Sequence, residues 1–172
     1  MENETGQTIG DAFFKSAIAR FTEYKALGDK TFLQLSEQQL HVQPNNESNS
    51  IALIIQHLHG NMQSRWTAFL TEDGEKPWRN RDAEFEIKAQ AKEELLRLWE
   101  EGWAILFHAL AALSEHDLLK KITVRSQPLT VVDAINRQLA HYSYHTGQIV
   151  FMGKWLLAEK WQTLSIPKGG SQ

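Results

Sequence analysis

His141 and His145 stand four residues apart in the stretch Gln138-Leu139-Ala140-His141-Tyr142-Ser143-Tyr144-His145-Thr146-Gly147-Gln148. In a helix this spacing sets two imidazoles on one face, one turn apart. Such a pair binds one transition-metal ion if a third ligand arrives from elsewhere in the chain. The stripe through them reads Ala134, Gln138, His141, His145, Gln148, Met152 and Trp155. The histidines are therefore polar residues on the shoulder of a largely apolar face, at mid-helix, where a bundle can hold an internal site. The competing reading is two hydrogen-bonded histidines beside a core. The zinc-protease pattern His-Glu-x-x-His is absent, because Tyr142, Ser143 and Tyr144 lie between the pair. The paired Glu-x-x-His motifs of di-iron bundles are absent too.

A third ligand has two candidates on an earlier helix. His57 shares a stripe with Ile54, Asn61, Ser64 and Ala68, which flanks an apolar face. His59 points roughly 200° away from it by the helical turn angle. Only one of the two can face a given partner. His41, His108 and His116 fall in or near loops or on mixed faces and read as ordinary residues.

The elements that must position these residues are long and amphipathic. Residues 8–34 read as a first helix, with Ile9, Phe13, Ala17, Phe21, Tyr24 and Leu27 at helical spacing and Gly28 as a point of bending. Ser36 to Leu40 can form a short turn of helix, and Pro44 with residues 45–49 makes a loop. Ser50 caps a second helix reaching about Leu70. Residues 71–86 form a long charged connection, yet Trp78 and Phe85 are too apolar for an idle linker and suggest a packed lid. A third helix spans about 87–113. Residues 121–129 are partly β-like, as a small hairpin or an extended crossover. Thr130 caps the last helix, which runs to about Glu159. The tail 165–172 is Gly- and Ser-rich and is expected to fray. The expected fold is all-α: one four-helix bundle over residues 1–172, with a long connection between its second and third helices.

Composition narrows the function. The chain has 172 residues, a formal charge of −3 and no cysteine. Nucleic acid is not expected as a partner, since phosphate neutralisation needs clustered Lys and Arg. The missing cysteines exclude disulfides, thiolate metal sites and a cysteine nucleophile. No apolar run reaches the ~18 residues that span a bilayer, so no membrane partner is expected. The polar N-terminus is unlike a signal peptide, and the expected location is the cytoplasm.

Taken together, the run Ile54-Ile55-Gln56-His57-Leu58 on the second helix and His141, His145, Gly147 and Gln148 on the last resemble the DinB-like superfamily. That superfamily comprises four-helix metal-binding proteins and includes bacillithiol transferase and mycothiol-dependent maleylpyruvate isomerase branches. The match covers nearly the whole chain in order and spacing. Residues 60–66 and 73–82 resemble one bacterial branch in particular. The resemblance implies a metal triad of His57, His141 and His145. Two features depart from it. The family often carries His-His where this chain has Tyr144-His145, and the thiol-cofactor site of the characterised branches does not map onto this sequence.

Three neutral imidazoles with an open position suit a divalent ion, zinc or nickel above others. Such an ion lowers the pKa of a bound water or thiol. Two function classes follow. One is a metal-dependent transferase or hydrolase, most concretely a low-molecular-weight thiol S-transferase, with Arg79 and Arg81 binding a substrate carboxylate. The other is a non-catalytic metal-binding or stress-related bundle, as a homodimer. A solvent-reached coordination position favours the first, and a closed site favours the second.

Overall fold

The computed structural model describes residues 6–166. Five α-helices occur there: α1 (Ile9–Phe32), α2 (Glu37–Leu40), α3 (Ile51–Trp66), α4 (Lys92–Ala111) and α5 (Val131–Leu157). Two short strands, β1 (Lys121–Val124) and β2 (Gln127–Thr130), pair antiparallel between α4 and α5. The all-α expectation therefore gains a small sheet, and the partly β-like stretch is a hairpin rather than a crossover. Its tip is Arg125-Ser126, both at positive φ (54° and 60°), as a tight two-residue hairpin turn requires. No helix among the described residues is long and apolar enough to cross a membrane.

The helix starts follow local chemistry. Thr8, Ser50 and Thr130 each accept a hydrogen bond from a backbone N–H three residues on, at Asp11, Leu53 and Asp133. These side chains satisfy donors that the first helical turn leaves free. Helix ends are where the sequence reading slips. α3 stops at Trp66, not near Leu70, because Ala68 turns to φ 49°. α4 begins at Lys92, not Ile87, after an extended Ala91. The expected fraying of 165–172 falls mostly outside the described residues. Gly28 does not interrupt α1. It lies against the Trp99 indole, which occupies the space a Cβ would take.

The four long helices close one ring of contacts: α3 lies on α4, α4 on α1, α1 on α5 and α5 on α3. Their apolar stripes meet at Phe21, Trp103 and Tyr142, all fully buried, with ring centroids 5.7–6.3 Å apart. Each such side chain contributes about 1.5–3 kcal/mol by leaving water. One polar chain crosses this core. The Trp66 indole N–H donates to the Tyr142 hydroxyl at 3.0 Å, and that hydroxyl donates to Asn61 Oδ1 at 3.0 Å. A buried polar group left without a partner is costly, and here each of the three has one. The chain fixes the register of α3 against α5, with His57 one turn before Asn61 and His141 beside Tyr142.

Candidate metal site

That register brings His57, His141 and His145 together. One ring nitrogen from each lies within 4.8 Å of the other two, so the group could hold a metal ion. His57 and His145 are buried, and His141 is partly so. His59 faces the other way, toward α4, where its Nε2 lies 3.4 Å from Glu101. The apolar face of α3 thus selects His57 for the α5 pair. His41 meets the Gln90 carbonyl instead.

The second nitrogen of each ring is also engaged. His57 Nδ1 lies 2.9 Å from Glu84 Oε2, His141 Nδ1 3.3 Å from Gln138 Oε1, and His145 Nδ1 2.8 Å from Gln148 Oε1. Each partner is an acceptor oxygen, so each Nδ1 carries the proton and donates it. All three Nε2 lone pairs then point into the shared space. His57 Nε2 and His141 Nε2 approach to 3.3 Å, which two lone pairs do not do favourably unless a cation or proton lies between them. His145 Nε2 is buried with no hydrogen-bond partner at all. Nitrogens bound at ~2.1 Å around a tetrahedral ion sit roughly 3.4 Å apart. The donor set therefore fits a metal.

Electrostatics keeps the two α5 donors neutral. Burial, aided by the neighbouring His145 and His57, pulls the His141 pKa down to about 3. Burial, with His57 beside it, pulls His145 to about 4, against the hydrogen bond to Gln148. Both rings are unprotonated at neutral pH, the form that ligates metal. Burial alone would push Glu84 up, but the hydrogen bonds from His57 and Arg79 and the Arg79 charge outweigh it and hold its pKa below the usual range. Glu84 stays an anion behind His57, a pairing that raises the basicity of a ligating imidazole.

Glu84 reaches this place on the long connection, which does fold as a cover over α3. A 3-10 turn, Asp82–Phe85, packs on that helix. Glu84 sits against Gly60, where any side chain would displace it. Arg79 holds it from the other side, with Nε 2.7 Å from Oε1 and an Nη2 2.9 Å from Oε2. Phe85 stacks on His57 at 4.9 Å, and the Arg81 guanidinium lies 5.2 Å above the Phe85 ring. Trp78, in contrast, stands mostly exposed. Of the two arginines expected to meet a substrate, Arg79 is committed to Glu84 and Glu75, while Arg81 has no carboxylate partner among the described residues. Sequence reasoning missed Glu84 and Gln138 as partners of the triad. Gln138 carries a usable signal, three residues before His141 on the same helix. Glu84 carries none, since it sits in an aperiodic loop.

A cavity of about 270 Å³ opens beside the triad. His57, His141, Asn61, Gln138, Tyr144 and several arginines line it. The family described as protein of unknown function DUF1572 matches residues 8–170. The chain belongs to that family. The DUF1572 match spans all five helices, the hairpin and the three histidines. No curated protein and no solved structure matches the chain.

Proposed function

We propose that this DUF1572 chain is a DinB-like four-helix bundle and a divalent-metal-dependent enzyme, with a low-molecular-weight thiol S-transferase as the most concrete form. The observation that carries the reading is the alignment of three Nε2 lone pairs, each set by an acceptor on the opposite ring nitrogen. His57, His141 and His145 would hold the ion, zinc or nickel. Bound there, it supplies Lewis acidity, which lowers the pKa of a thiol or water beside it. The chain's own groups do the rest. Glu84 keeps the His57 proton on Nδ1. Gln138 and Gln148 do the same for the α5 rings. Phe85 and Tyr144 wall the triad, and the cavity over His57 and His141 admits a small substrate. That opening supports catalysis over a closed structural site. The cytoplasm is the proposed location. A homodimer is part of the proposal.

The test is the metal content of protein purified without an affinity tag, followed by thiol transfer to an electrophilic acceptor with and without chelator. One equivalent of zinc or nickel, and turnover that chelation abolishes, is the expected result. Metal-loaded protein with no turnover on any thiol would leave the non-catalytic bundle as the reading. Protein that takes up no metal would end the enzyme reading and leave a bundle whose histidines hold no ion.

A further inference from the structure

The cavity beside the triad is lined by five arginines, Arg65, Arg79, Arg81, Arg125 and Arg137. Three of them are compensated. Arg65 lies 3.0 Å from Glu75 and Arg125 lies 2.9 Å from it, while Arg79 divides between Glu75 and Glu84. Asp73 adds a third negative charge, holding the hairpin tip by accepting the Arg125 and Ser126 backbone N–H groups at 2.9 and 2.8 Å. The remaining two differ. Neither Arg81 nor Arg137 has a carboxylate or hydrogen-bond partner among the described residues, and both are exposed where they border the cavity. Arg81 rests one face on Phe85, which leaves the edge of its guanidinium fork free. Arg137 stands four residues before His141, one turn away on the same face of α5.

Two uncompensated guanidinium groups beside a metal-ligand cluster form a binding surface for an oxyanion. Arginine's planar fork matches carboxylate and phosphate oxygens two at a time. The volume falls at or below the ~300–1,000 Å³ of sites for drug-sized ligands, so the occupant is small. We propose that the substrate is a small acid: Arg81 and Arg137 bind its carboxylate or phosphate, and its other end reaches the histidine triad. Arg79 is a positioning residue in this scheme, since its guanidinium is spent on Glu84. The inference rests on the proposed metal site for the second half of the substrate only. The anion half stands on the arginines.

Titration calorimetry with two probes, inorganic phosphate and succinate, tests it on metal-free and zinc-loaded protein. At least one probe is expected to bind the wild type, and the tighter one identifies the acid. The double variant Arg81→Gln/Arg137→Gln should bind at least tenfold more weakly. Arg97→Gln, which removes an exposed guanidinium paired with Glu101 on α4, should bind as the wild type does. Because Arg81 and Arg137 are exposed, the double variant should keep its helical circular dichroism and its zinc stoichiometry. If neither probe binds in either metal state, or if the double variant binds as the wild type does, the proposal falls. If zinc fails to bind while anion binding still depends on the two arginines, the metal reading falls and this one stands.

Discussion

His57 Nδ1 lies 2.9 Å from Glu84 Oε2, and both side chains are buried. The contact joins the middle of α3 to a loop that sequence pattern leaves formless, and the buried Arg79 side chain completes it from the far side of Glu84. It sets which ring nitrogen of His57 is left to bind. Replacing Glu84 by Gln keeps the shape and removes the charge. Partners of this kind behind a ligating histidine are worth about 10–100-fold in metal affinity. Glu84→Gln should therefore weaken zinc binding by roughly that factor in competition with a chromophoric chelator. An unchanged affinity would mean that the carboxylate only packs.

Gly60 should be as sensitive as Glu84, although it offers no side chain to the triad. A Cβ at this position collides with the Glu84 carboxyl group. That group cannot swing away without leaving Arg79 and His57. Gly60→Ala favours helix by ~1 kcal/mol on propensity alone. The expected outcome is a folded protein with weaker zinc binding, opposite in sign to the propensity gain. If zinc affinity matches the wild type and the melting temperature rises, the carboxyl group has room to move.

The Trp66–Tyr142–Asn61 chain makes a separate prediction about stability. Tyr142→Phe leaves the indole N–H of Trp66 and the Asn61 oxygen buried without partners. Each orphaned neutral group costs about 1–3 kcal/mol. The melting temperature should fall by several degrees, at about 2–4 °C per kcal/mol for a domain of this size. A loss within error in a reversible melt would show that water replaces the hydroxyl.

Asp73 links the long connection to the hairpin tip, and its contribution should depend on pH. The Glu75 backbone N–H holds its carboxyl well below the ordinary range, and the Ser126 and Arg125 N–H groups help it outweigh the opposing effect of burial. A group depressed on folding adds stability above its unfolded pKa, ~3.9 for Asp, and that stability is lost as pH falls toward the folded value. Asp73→Asn should destabilise by about 1 kcal/mol at pH 7, a modest figure because the site is solvent-screened. The deficit should shrink below pH ~4 as the wild type loses its own advantage. A deficit constant from pH 7 to pH 3 would count against the carboxylate.

Much of the fold was legible because apolar periodicity and capping residues are local. Ser50 and Thr130 start helices where their chemistry says they should. The His141/His145 pair needed only a helix. His57 needed the phase of α3, which Ile54 and Leu58 supply. What stayed hidden depends on chain segments meeting. Glu84 acts 27 residues from His57 through a loop placed by Gly60 and Arg79. Arg137 carries no signal of its own in the sequence, and only the meeting of the connection, the hairpin and α5 at one cavity places it beside the triad. The early end of α3 was masked by Phe69, which is buried and continues the apolar pattern after the backbone has already turned.

His145 gives the most direct test of the metal reading. Its Nε2 is buried, unpartnered and ligand-competent at neutral pH. A metal that binds the folded chain and not the unfolded one stabilises by mass action, about 2.7 kcal/mol at a hundredfold excess over Kd. That corresponds to a rise of roughly 5–10 °C for a domain of this size. Zinc should therefore raise the melting temperature of the wild type over that in chelator, by tying α3 to α5. His145→Ala should lose this response. In chelator the variant should melt near the wild type, because the deletion also removes a buried acceptor that has no donor, which offsets part of the lost packing. The decisive quantity is the difference between zinc and chelator within each protein, not the absolute temperature. If the wild type melts alike in both, with zinc shown to be in excess, the three histidines do not hold a metal.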